Sequence, residues 1–65
     1  MKEMYERLAN AVIVLAVKDY RRARKELQRD DISRLERFFL GPTFGILTDL
    51  EGTVLLQELK KEGAL

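Results

Sequence analysis

The sequence contains no cysteine and no histidine. The first absence removes disulfides, thiolate metal sites and a cysteine nucleophile together. The second removes the usual general base at neutral pH and the commonest metal ligand. Serine occurs once, at Ser33, and has no imidazole to activate it. Carboxylates remain, but charged residues make up 35% of the chain, so carboxylate pairs arise whether or not they do chemistry. No catalytic constellation emerges. The expectation is a protein that is not an enzyme, with no catalytic residues, no metal and no cofactor.

A long apolar run is missing too. The longest, Ala11 to Val17, has seven residues, against the ~20 a membrane span needs. Glu3 and Glu6 lie where a secretory signal wants net positive charge, and "KDYRRARKE" follows Val17 where a small-residue cleavage site belongs. No membrane association is expected, and the predicted location is cytoplasmic.

Glycine and proline are sparse between Lys2 and Gln28, where neither occurs. There Tyr5, Ala9, Val12, Ala16, Tyr20, Ala23 and Leu27 recur at spacings of three and four. This is the period of an α-helix, and it outweighs the β-branched "VIV" inside it. The predicted class is all-α, a single domain over 1–65. Its long N-terminal helix covers about 3–28, and shorter helices follow at about 31–40 and 49–62. Asp30 or Asp31 is expected to cap the second helix, and Gly41-Pro42 to end it. A short helical turn near 43–47 has Thr43 as its cap. Thr48 stands three residues before Glu51, the spacing of a capping box for the last helix, which Gly63 stops. "LTDLEG" is too short and too poor in alternating oxygen ligands for a calcium loop.

The seven-residue apolar run covers the whole circumference of its helix, and a helix apolar all round is buried all round. The short C-terminal helices of a 65-residue chain have little surface to wrap it. Ile13, Val14 and Val17 point away from the main stripe, and Asn10 interrupts the belt as a register-setting polar residue would. These four are the predicted oligomer interface, most simply in a two-fold dimer.

Charge is uneven although the net is +1. Residues 18–37 hold eight basic and five acidic side chains; residues 38–65 hold two basic and four acidic. That asymmetry suits an anionic ligand or head-to-tail contact between copies. Lys18 and Arg22 lie one turn apart, as do Arg21 and Lys25, so two basic ridges run down the helix. Guanidinium forks grip phosphate oxygens, and Tyr20 could stack on a base. The predicted ligand-binding set is Lys18, Asp19, Tyr20, Arg21 and Arg22, with Thr43 at the "GPTFG" corner. The same residues also suit a solvated face with Arg22–Glu26 pairing, a core tyrosine, and an Asp19 ion pair with Arg34 or Arg37. A nucleic acid is a possible partner, but the chain is not strongly basic and lacks helix-turn-helix spacing.

The string "RLANAV", "AVKDYR", "ERFF", "LTDLEG" resembles a group of small helical phage and prophage proteins of Gram-positive bacteria. The match falls at Arg7 to Val12, Ala16 to Arg21, Glu36 to Phe39 and Leu47 to Gly52. The group typically reads "ERFFRSDWF" where this chain has "ERFFLGPTF", so an aromatic near Thr43 is missing. The resemblance implies a phage accessory protein in the cytoplasm of a bacterial host. By analogy it implies action by binding, such as a counter-defence inhibitor that captures a host protein or an anionic nucleotide signal.

Overall fold

The computed structural model describes residues 2–62, with the side chains of Lys2, Glu3 and Tyr5 outside the description. All its regular elements are helices: α1 (Lys2–Lys25), α2 (Arg29–Leu40), α3 (Pro42–Leu47) and α4 (Gly52–Glu62). The expected all-α class and element order hold. Tyr5, as a stripe residue, and Gly63, as the stop of α4, lie outside the description.

The molecule measures 40 × 20 × 18 Å. Its long dimension is that of α1, since 24 residues at 1.5 Å each span about 36 Å. Helix α2 runs back along the C-terminal half of α1, and α3 and α4 both pack against it. The core is built from Ile13, Ala16, Tyr20 and Ala23 of α1, Leu35 and Phe39 of α2, Phe44 of α3, and Leu56 and Leu59 of α4. Four aromatic rings meet at its centre. Phe39 lies edge-on to Tyr20, Phe38 and Phe44, with ring centroids 5.5–5.9 Å apart, the arrangement that the ring quadrupole favours.

The boundaries shift for local reasons. Helix α1 stops at Lys25, not near residue 28. The Gln28 amide donates to the Ala23 carbonyl at 2.9 Å and the Leu27 amide to Arg24 at 3.3 Å, the paired bonds of a Schellman ending. Leu27 takes the left-handed conformation (φ 56°) usually filled by glycine and is left 79% exposed. A β-carbon there costs about 1–2 kcal/mol.

Helix α2 begins at once, with Gln28 as its cap and no side-chain cap bond. Asp30 and Asp31 therefore sit inside the first turn, where their charge faces the positive end of the helix dipole, rather than at the cap. Gly41 ends α2 in extended backbone, the conformation a following proline imposes, and also caps α3 with Pro42 first in the helix. Thr43 is thus not the cap. The predicted capping box does not form either. The Thr48 hydroxyl accepts the Leu50 amide at 3.2 Å, closing a turn that delays α4 to Gly52.

Candidate interaction surface

The inner stripe of α1 runs Ala9, Ile13, Ala16, Tyr20, Ala23. Helix α2 approaches from the Ala16 side, and α4 reaches the Arg21 side through Glu62. Between two neighbours Ile13 turns inward and is 7% exposed, while Val12 turns outward at 47%. This corrects the expected interface. Ile13 belongs to the chain's own core, and Val17 is half-buried against it. Val14 and Asn10 are exposed.

The large apolar side chains of α1 that are left exposed lie mainly on another face. Met4, Leu8, Val12 and Leu15 are 71%, 66%, 47% and 61% exposed. Their spacings of four, four and three keep them on one side of α1. At its inner edge this stripe opens into an open groove of about 220 Å³ between α1 and α2, lined by Val12, Leu15, Ala16, Asp19, Arg34, Leu35 and Phe38. The groove continues past Asp19 and Arg34 into a polar hollow of about 290 Å³ at the α1–α2 corner. Arg22, Glu26, Gln28 and Asp31 complete that hollow. The surface therefore changes along α1 from apolar to charged.

The six residues read as a ligand site do not converge. Asp19 and Arg22 share the polar hollow, joined by an ion pair of 3.1 Å. Arg34 in the same hollow pairs with Asp31 at 3.5 Å. Two guanidinium groups thus face three carboxylates, a poor setting for a phosphate. Arg21 points to α4, where its Nε and one terminal nitrogen hold both carboxylate oxygens of Glu62 at 2.8 and 2.9 Å. That bidentate bond holds the Glu62 carboxyl below its ordinary range and lifts the guanidinium further above its own. Lys18 is exposed on the outer side of α1. Thr43 is exposed on α3, which follows the far end of α2, whose 12 residues span about 18 Å.

Tyr20 is fully buried, so its ring has no free face for a base. Its hydroxyl donates to Glu36 at 2.8 Å and accepts from Arg24 at 3.3 Å. Lys60 lies 3.8 Å from the same Glu36 oxygen, so this chain of polar groups ties α1, α2 and α4 together. Burial, the largest influence, raises the phenol's pKa above its ordinary 10.0; the Arg24 bond opposes it and the Glu36 bond adds to it. The folded state therefore keeps a proton that the unfolded state loses. The stability linked to this group is complete below pH 10.0 and falls as pH rises toward the folded value. In a Tyr5→Phe background, tyrosinate absorbance is expected to appear above the ordinary range and together with unfolding. An ordinary titration of Tyr20 in the folded protein would contradict the burial argument.

Sequence reasoning placed Arg34 near Asp19 but missed Asp31 and Gln28 at the corner, because contacts across a Schellman turn leave no periodic signal. Met4, Leu8 and Leu15 were legible as apolar but not as the uncovered face. No family model, no curated protein and no solved structure matches the chain.

Proposed function

We propose that this protein acts by binding rather than by catalysis, as a helical homo-oligomer assembled through the outer face of α1. One observation carries this reading: Met4, Leu8, Val12 and Leu15 form an apolar stripe that the other described residues leave about half or more exposed. A contiguous exposed apolar patch rimmed by polar groups marks an interaction site. Helix-in-groove association is a common way to bury such a stripe. The resemblance to small phage proteins fits a compact accessory protein that works by capturing a host protein. Capture of an anionic nucleotide has weaker support, because Tyr20 is enclosed and Arg21 and Arg22 are already paired. The same pairing weakens the nucleic-acid reading.

Native mass spectrometry tests the assembly. The wild-type chain is expected at a multiple of its 7.6 kDa subunit mass. A Leu8→Glu/Leu15→Glu variant is expected as a monomer with unchanged helicity, since both side chains lie outside the core. A wild-type monomer at micromolar concentration would overturn the reading. An extra phosphate-rich mass on the purified oligomer would return weight to nucleotide capture.

A further inference from the structure

Helix α4 carries a surface of its own that the other described residues leave open. Asp49, Leu50, Glu51, Val54, Leu55 and Glu58 line a shallow hollow of about 440 Å³ on its outer side. Its floor is apolar: Leu50 is 60% exposed and Val54 50%, and Leu55 rests against the core. Its lining holds three carboxylates and no cation. Lys61 reaches Glu58 at 3.5 Å, but both side chains are largely exposed, and such pairs hold weakly.

The exposed line of α1 has the opposite character. Met4, Leu8, Ala11, Leu15, Lys18 and Arg22 follow one another at alternating steps of four and three. They form a single row, apolar for its first four members and cationic at Lys18, while Arg22 at its end is held by Asp19 at the corner hollow. Arg7, also exposed, stands one turn beyond Met4. An apolar ridge with cations beside and after it matches an apolar hollow edged by carboxylates. Complementary charge fixes the partner and register of such a contact, while apolar burial supplies most of its affinity.

We propose that the α4 hollow is the docking site for the exposed α1 row of a second copy of this chain. The proposal rests on self-association through α1 and adds the surface that receives it. Each contact joins two different surfaces, the row of one copy and the hollow of the other. The assembly closes either as a reciprocal pair, in which each copy gives its row and receives its partner's, or as a small ring.

Two variants test this by complementation. Leu8→Glu/Leu15→Glu spoils the row and leaves the hollow intact. Val54→Lys/Glu58→Lys spoils the hollow and leaves the row intact. Each alone is expected as a helical monomer by circular dichroism and native mass spectrometry. Their dissociation constants are expected to rise by about tenfold or more, as loss of one interface anchor does. Mixed, they are expected to form a one-to-one heterodimer, since one good row meets one good hollow. Added salt is expected to weaken that heterodimer, whose charges lie at a solvated rim. If Val54→Lys/Glu58→Lys stays assembled while Leu8→Glu/Leu15→Glu does not, the rows pair with each other; the inference falls and self-association through α1 stands. If both are monomers and the mixture stays monomeric, the inference falls as well. A monomeric wild type overturns both.

Discussion

Phe39→Ala is expected to abolish cooperative folding. The ring is 1% exposed and touches three other aromatic rings from three different helices. It joins α1, α2 and α3 through Tyr20, Phe38 and Phe44. Emptying that position removes the transfer energy of the ring and leaves a cavity, together about 3–5 kcal/mol. A chain of this size has only about 3–10 kcal/mol to lose, at the usual yield per residue. The Tyr20 hydroxyl network would lose its packing at the same time, because the Tyr20 ring stands edge-on to the missing one. Phe39→Leu keeps much of the volume and is expected to fold with reduced stability. Thermal unfolding followed by circular dichroism separates the outcomes. A drop of less than about 4 °C for Phe39→Ala would mean a cost under about 1 kcal/mol, and the ring would not be the hub its contacts imply.

The sequence carried the helices because their period is local, and it lost their ends because the ends depend on single backbone choices. The spacing from Ala9 to Ala23 was enough to identify α1. Leu27 hid the end, since a leucine continues a helical pattern and gives none of the warning that a glycine in the left-handed position would. Thr48 misled for a related reason. Its hydroxyl has two ways to bond backbone amides, a capping box or a short turn, and only the path of the chain from α3 to α4 selects the turn. The exchange of Ile13 for Val12 shows the limit of reading one helix alone. Adjacent apolar residues are 100° apart, and which of them faces in depends on how many neighbours flank the helix.

The candidate surface was less legible than the fold. The basic run from Lys18 to Lys25 reads in sequence as one feature, yet its members project in different directions once α1 is packed. Arg21 reaches α4, Arg22 faces the α2 corner, and Arg24 supports Tyr20. For Tyr20 beside Arg21 the sequence favoured filling the core over stacking on a base, and burial decides for the core. The expectation of an uncovered apolar face has a counterpart in the structure, but on Met4, Leu8 and Leu15 rather than on Ile13 and Val17. Surplus apolar surface can be counted from composition; its direction is set by the helices that cover the rest.

Gly52→Ala and Gly45→Ala are expected to change stability in opposite directions, although both place a methyl group inside a short helix. Gly52 opens α4 where that helix crosses the end of α2. A β-carbon there would overlap the Phe39 carbonyl oxygen and lie 2.8 Å from the carbonyl carbon, with the Phe44 ring 3.2 Å away. The obstacle is backbone, which cannot rotate aside as a side chain can. Accommodating the methyl requires α4 to move off α2, and that movement withdraws Leu56 and Leu59 from the core they fill. The loss is expected to exceed about 3 kcal/mol, in the range that overpacking and lost burial reach together. Gly45 sits mid-way along α3 with nothing within 4 Å of its would-be β-carbon. There alanine only restricts the unfolded chain and favours the helix, a gain of up to about 1 kcal/mol. Urea unfolding of the two variants beside the wild type reads both effects at once. A folded Gly52→Ala protein with a midpoint near the wild-type value would mean that α4 does not press on the Phe39 carbonyl. A Gly45→Ala protein less stable than the wild type would mean that the space beside Gly45 is not open.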